Sequence, residues 1–178
     1  MEKSPEVIRR IAILGAESTG KTTLARSLAL HFHTTWVSEY AREYMSAHPG
    51  NYSVEDIIEI QKHQLLEEER LSTISNHFLF TDTEFIVAQV WCEDVFGFSP
   101  DWINQQVKEH QYDLYLLTSN DLPWVADPVR VNSQRRDYFF NWYKRVLDEN
   151  NLKYEIIFGR HEARLLNGIN AVKKHFAE

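Results

Sequence analysis

Ile11-Ala-Ile-Leu14 runs without a polar residue into Gly15-Ala-Glu-Ser-Thr-Gly-Lys-Thr22, and this stretch decides the fold. A short continuous apolar run is the pattern of a strand buried on both faces. The octapeptide that follows satisfies G-x-x-x-x-G-K-[ST]. Glycines at its two ends let the backbone curl until successive N–H groups point into one concavity, and the helix opening at Lys21 adds the positive end of its dipole. Lys21 brings a charge to the β and γ phosphates of a nucleotide, and the Thr22 hydroxyl is placed to ligate Mg²⁺. The nucleotide-binding residues expected here are Gly15, Glu17, Ser18, Thr19, Gly20, Lys21, Thr22 and Thr23.

Outward from this loop, short apolar runs alternate with longer amphipathic stretches. Lys21 to Phe32 reads as a helix, Thr35-Trp-Val37 as a second strand, and Glu39 to His48 as a helix closed by the turn Pro49-Gly50-Asn51. Ser53 and Asp56 have capping-box spacing and open a long helix through about Ser75. Within it, Glu67-Glu68-Glu69 reads as a solvated face. Phe78-Leu-Phe80 is a strand ending at Thr81-Asp82, followed by helices over Phe85 to Val95 and Ser99 to His110. Leu114 to Leu117 is a fourth strand, and a polar loop runs from Thr118 to Asn132. Helix Arg135 to Asn150, strand Glu155 to Phe158 and helix Glu162 to Phe176 complete the pattern. Such alternation predicts an α/β fold: one domain over residues 1–178, a three-layer α/β/α sandwich on a mostly parallel five-stranded sheet.

Composition narrows the classes. With 178 residues, 43% hydrophobic and 25% charged, the chain matches a soluble globular domain and excludes disordered, collagen-like and disulfide-scaffold classes. No run of 18 apolar residues offers a membrane span, and Met1 to Arg10 has no apolar core of a secretory signal, so a cytoplasmic protein is expected. Nineteen basic against 26 acidic residues give a net charge of −7, which disfavours a nucleic-acid partner but leaves room for one focused anion site. Cys92 is the single cysteine and reads as a small core hydrophobe. The eight histidines lack metal-ligand spacing and are expected on the surface or at caps.

A phosphate loop requires a second carboxylate at the end of a neighbouring strand, and Asp82 stands there. It serves either as metal organiser beside Thr22 or as N-cap of the helix beginning near Thr83, and Glu84 is open to the same two readings. No Asn-Lys-x-Asp guanine reader is present, although Thr118-Ser-Asn-Asp121 faintly echoes one, and no LSGGQ signature appears. The length leaves little room for the lid subdomain of an AAA+ machine. Small-molecule kinases of the P-loop type remain. Their acceptor would sit after the second strand, where Ser-Glu-Tyr-Ala-Arg-Glu-Tyr (38–44) offers Glu39, Tyr40, Arg42 and Glu43. Either an acceptor pocket or a plain amphipathic turn accounts for that composition. In the loop from Asp121, the arginines Arg130, Arg135 and Arg136 are candidates to cover the transferring phosphoryl group. Arg160, after Gly159, is expected near the adenine.

With these segments in view, the chain resembles the ribosylnicotinamide kinase domain of bacterial bifunctional NAD-salvage proteins and its free-standing relatives. The likeness rests on GAESTGKT, SEYAREY, Phe80-Thr-Asp-Thr-Glu84, Trp91, and Tyr112-Asp-Leu-Tyr-Leu-Leu117 running into Pro123-Trp-Val-Ala-Asp127 and Arg130. Pro128 departs from the glycine usual there. The resemblance implies ATP and Mg²⁺ as cofactors and phosphorylation of the ribose 5′-hydroxyl of nicotinamide riboside to nicotinamide mononucleotide. A His-x-Gly-His adenylyltransferase signature is missing, so the next step to NAD is expected of another protein.

That acceptor carries a pyridinium cation and a ribose diol. Aromatic faces and carboxylates suit it, which nominates Tyr40, Trp91 and Trp124 for the ring and Glu39, Glu43 and Asp127 for the hydroxyls. Trp91 lies mid-helix and fits core packing equally well. The catalytic set is then Lys21, Asp82, Glu39, Arg130 and Arg136, with the proton acceptor either Asp82 or Glu39, and Thr22 and Asp82 at the metal. Two other readings stay open: a kinase for another nucleoside or sugar, and a nucleotide-dependent switch that binds ATP or GTP and a protein partner.

Overall fold

Side chains alternate across β1 (Arg9–Leu14) and divide the interior in two: Ile11 and Ile13 face one layer of helices, Ala12 and Leu14 the other, and all four are fully buried. The computed structural model describes residues 7–126 and 132–177. β1 lies at the centre of a sheet completed by β2 (Thr35–Val37), β3 (Phe78–Asp82), β4 (Leu114–Thr118) and β5 (Tyr154–Ile157), in the order β2-β3-β1-β4-β5. Every named strand pair is parallel.

On one face, α1 (Lys21–His31) and α7 (Glu162–Phe176) lay Leu24, Leu28, Ile169 and Val172 against Ile11, Ile13, Phe80 and Leu116. On the other, α4 (Phe85–Phe96), α5 (Asp101–Glu109) and α6 (Arg136–Glu149) bring Ile86, Val90, Val107, Phe139 and Leu147 onto Ala12, Leu14 and Leu117. The three-layer α/β/α arrangement expected from the alternation is present. α3 (Val54–Ser72) packs Ile57 beside Ala88, Ile103 and the buried Cys92 in a satellite cluster. Its first turn carries the capping box: Asp56 accepts the Ser53 N–H at 2.7 Å, and Ser53 Oγ accepts the Asp56 N–H at 3.4 Å. α2 (Tyr40–Ala47) buries no residue fully and rides on α3.

One open choice is decided and one expectation is corrected. Of Asp82 and Glu84, both readable as the cap, Glu84 caps α4, because Thr83 takes a left-handed φ of +73° and the helix begins at Phe85. Glu68 is not on a solvated face: it is 1% exposed and accepts bonds from Arg10 at 3.0 Å, His110 at 3.0 Å and Tyr112 at 2.8 Å. That ion-pair hub fastens α3 to β1 and to the chain entering β4, and it draws His110 away from the surface role expected of the histidines.

Register then positions the functional end. Ile13 pairs with Asp82 and Leu14 with Leu117, so the phosphate loop, the turn after β3 and the loop after β4 converge at the carboxyl ends of the three central strands. That edge of an open α/β sheet is where ligands bind.

Candidate active site

Phosphate-loop geometry follows from its glycines and from one threonine. Gly15 has φ +151°, and a Cβ there would meet Thr118 Oγ1 at 2.1 Å, so no other residue fits between β1 and β4. Thr19 Oγ1 donates to Ala16 O at 2.7 Å and lies 2.7 Å from Thr118 Oγ1, which ties the loop to the end of β4. Ser18 and Gly20 both take left-handed φ, +60° and +77°, and fold the loop into an anion-binding nest. Gly20 offers no side-chain cap to α1, whose first-turn N–H groups face the same concavity. Lys21 Nζ rests on Ala16 O at 2.9 Å, inside the loop it would serve.

Beside it, the Thr22 hydroxyl donates to Asp82 Oδ2 at 2.6 Å. Burial lifts the Asp82 carboxyl to about 6, and the charge of Glu39 adds to the rise, against the pull of Lys21 and the hydroxyls of Thr22 and Thr83. Gln64 of α3 fixes the turn, donating to the carbonyls of Asp82 at 3.1 Å and Thr83 at 2.6 Å, while its Oε1 accepts the Tyr40 N–H at 3.4 Å. One buried amide thus joins the backbone of the Asp82-Thr83 turn to the start of α2. Glu84 is 2% exposed, and burial pushes its carboxyl to about 8.

On the acceptor side, Glu39 occupies the N-cap position of α2 and reaches Asp82 through its field. Tyr40 stacks on His63 with ring centres 3.6 Å apart, so one of its faces is already covered. Arg42 and Glu43 point to the exposed side of α2. Trp91 donates from Nε1 to Tyr52 Oη at 2.9 Å and packs on the satellite cluster, which uses it as a partly buried packing residue. Tyr143 of α6 is buried, and burial together with the charges of Glu17, Glu84, Glu39 and Asp94 raises its hydroxyl well above the ordinary range. The sequence reading missed it.

Asp121 organises the opposite flank. It accepts from Ser119 Oγ and from the Gly159 N–H, each at 2.6 Å, and pairs with the guanidinium of Arg164. Arg164, 4% exposed, also donates to Ile157 O at 3.2 Å, Ser119 O at 3.3 Å and Gly159 O at 2.9 Å, so it locks the ends of β4 and β5 together. Arg160 donates to Asp121 O at 3.2 Å. Against this frame lies a cleft of about 200 Å³ lined by Gly20, Thr23, Leu24, Leu122, His161 and Arg164, adjoining the phosphate loop. Of the expected nucleotide residues, Gly20 and Thr23 are on its wall, and Arg160 does not line it. Arg164 gave no local signal, since its ion-pair partner Asp121 lies 43 residues away.

The arginines of the α6 approach are engaged. Arg135 pairs with Asp94 at 2.5 and 3.0 Å and lies over the rings of Tyr138 and Phe139. Arg136 donates to Asn120 O at 3.1 Å and Leu122 O at 2.7 Å, holding the loop after β4 instead of covering the phosphate loop. Trp124 is half-buried next to Val125, which bonds to Ser18. Asp127 and Arg130 lie outside the described residues. Among the described residues there is no group of three metal-ligating side chains, and no helix is long and apolar enough to cross a membrane.

The fold is of the P-loop kinase type, with the phosphate loop at the carboxyl end of its central strand. The chain belongs to the AAA domain family (AAA_28), which it matches over residues 10–164. The chain is 33% identical to the trifunctional NAD biosynthesis/regulator protein NadR of Salmonella typhimurium, over 99% of its own length and 45% of that protein. It thus spans less than half of that relative. The homology implied by the motif set is therefore shown. In structure it is similar to a NadR protein in complex with NR (TM-score 0.78, 24% identity, 96% of this chain and 52% of that one). A NadR protein in complex with NAD and AMP-PNP gives a TM-score of 0.72 at 24% identity, over 94% and 49% of the two chains. At that identity these structures show the shared fold.

Proposed function

We propose that the chain is an ATP-dependent small-molecule kinase that phosphorylates the ribose 5′-hydroxyl of nicotinamide riboside, giving nicotinamide mononucleotide. The observation that carries this reading is similarity to NadR along 99% of the chain, joined to a phosphate loop that faces a carboxylate-bearing acceptor side. The reading places the protein in the cytoplasm, with small molecules and neither nucleic acid nor membrane as partners.

In this reading the loop N–H groups and Lys21 hold the β and γ phosphates. The adenine enters the cleft between Leu122 and α1. Thr22 and Asp82 suit Mg²⁺, being hard oxygen donors 2.6 Å apart at the edge of the nest, with the rest of the shell left to phosphate and water oxygens. When bound, the ion neutralises charge on the β and γ oxygens. Asp82 spends one oxygen on Thr22 and the other on Thr83 at 3.4 Å. Glu39 is therefore assigned to take the proton as the 5′-oxygen attacks phosphorus in line and ADP departs. Glu39 gives the acceptor side negative charge, which suits a pyridinium cation and disfavours an acceptor already carrying phosphate.

The test is incubation of the protein with Mg·ATP and a panel of ribosides, with products weighed by mass spectrometry. Conversion of nicotinamide riboside is expected, together with its loss by about 10²-fold or more in Lys21→Ala while circular dichroism stays unchanged. Conversion of a different riboside alone would replace the acceptor. Tight nucleotide binding with no product from any acceptor would replace the kinase by a nucleotide-dependent switch.

A further inference from the structure

Positions 17 and 18 of the phosphate loop contribute backbone N–H groups to a nucleotide, and that chemistry places no demand on their side chains. Both side chains are nevertheless spent on chain more than a hundred residues away. Ser18 Oγ accepts the Val125 N–H at 3.0 Å and lies 3.2 Å from Val125 O, to which it donates. Glu17 Oε2 accepts the Asn132 N–H at 3.0 Å, and Oε1 lies 3.5 Å from Asn132 Nδ2.

The bond at Asn132 continues inward. Asn132 O accepts the N–H of Arg135, the N-cap residue of α6, at 3.1 Å. Arg135 is held by Asp94 of α4, and Arg136, the first residue of α6, by the carbonyls of Asn120 and Leu122. A continuous path of hydrogen bonds therefore runs from the phosphate loop through the entry of α6 to α4. The Glu17 end is charge-assisted, the stronger kind of hydrogen bond. A carboxylate beside a polyphosphate site would by itself repel the ligand, so its presence calls for a role that offsets that cost.

We propose that Glu17 is a positioning residue: its carboxylate ties the phosphate loop to residues 132–136, so that the loop and the first turn of α6 move as one body. α6 carries Tyr143, whose buried hydroxyl lies in the field of Glu17, Glu39 and Glu84. The tie thus links the phosphate loop to the helix that carries Tyr143. Its kinetic consequence rests on the kinase reading above; the tie itself does not.

Two measurements on Glu17→Ala, Glu17→Gln and the wild type test this. Hydrogen exchange of the nucleotide-free protein is expected to quicken about tenfold or more at the amides of residues 132–136 in Glu17→Ala, while residues 9–14 keep their rates. Glu17→Gln, which retains an acceptor oxygen, is expected to recover most of the protection. In the kinetic arm, kcat for riboside phosphorylation is expected to fall about tenfold or more in Glu17→Ala, with the Kd for ADP within threefold of wild type and partial rescue by Glu17→Gln. Unchanged exchange at 132–136 overturns the tie. So does a Glu17→Gln protein that exchanges as fast as Glu17→Ala. A raised Kd with an unchanged kcat also overturns the proposal, since it makes Glu17 a nucleotide contact. A wild-type protein that phosphorylates nothing overturns the kinase reading instead, and the exchange arm then decides the tie alone.

Discussion

Glu84 is the group whose substitution separates the physics of this site from its chemistry. It is 2% exposed, its Oε2 accepts the Ile86 N–H at 2.8 Å as the cap of α4, and its Oε1 has no hydrogen-bond partner. Burial raises its carboxyl from 4.5 to about 8; Glu68 adds to the rise, and the N–H groups of Ile86 and Val87 oppose it. In the unfolded chain the same carboxyl loses its proton near 4.5. Between those values the folded state holds a proton that the unfolded state has released, so stability falls as pH rises. At 1.36 kcal/mol per unit of pKa, the full loss by pH 8 is about 5 kcal/mol, of which more than half is already present at pH 7. Glu84→Gln keeps the shape and the capping oxygen but cannot ionise. Urea unfolding followed by tryptophan fluorescence at pH 5, 7 and 9 is the assay. The variant should be near wild type or slightly weaker at pH 5, and should gain on it steadily toward pH 9. Stability curves that run parallel for the two proteins from pH 5 to 9 would refute the reasoning, because the carboxyl would then ionise alike in both states.

Two further outcomes follow from contacts already described. Gly15→Ala forces a Cβ to within 2.1 Å of Thr118 Oγ1 at a φ of +151°, so the Kd for ADP measured by calorimetry should rise at least about tenfold. Glu68→Ala leaves Arg10, His110 and Tyr112 without their shared acceptor in the interior, and urea unfolding should show a loss of about 3 kcal/mol.

The parts of the fold legible in the sequence were those set by local chemistry. Gly15 to Thr22 is contiguous, and the structure gives its glycines and Ser18 the positive φ that the motif's curled loop requires. Asp82 was legible for a similar reason: it ends an apolar strand next to β1, and parallel register carries it to Thr22. What failed to show was set by partners distant in sequence. Glu68 sits among three consecutive glutamates, and nothing local distinguishes it from Glu67 and Glu69. Only the arrival of Arg10, His110 and Tyr112 from β1 and the approach to β4 makes its burial tolerable. Arg164 and Asp121 are 43 residues apart and meet because β4 and β5 are neighbours. The choice between Asp82 and Glu84 as N-cap of α4 was not legible, because it turns on Thr83, a β-branched residue with no sequence signal for the left-handed turn it adopts.

The two acidic residues of Asp82-Thr-Glu84 are sorted by the same turn. Thr83 reverses the chain so that Asp82 meets Thr22 while Glu84 turns into the sheet under α4. Burial raises both carboxyls, but Asp82 to about 6 and Glu84 to about 8, because Lys21 and the Thr22 hydroxyl pull only the first back down. The first charge of the pair therefore falls at Asp82. A second charge at Glu84 would add repulsion to a region that already holds Glu39, Glu17 and Asp94 around Tyr143. Placing one carboxyl of the motif in an apolar environment lets Asp82 ionise beside Thr22 before Glu84 does. The unpartnered Oε1 of Glu84 is thus the structural counterpart of the charge assignment at Asp82.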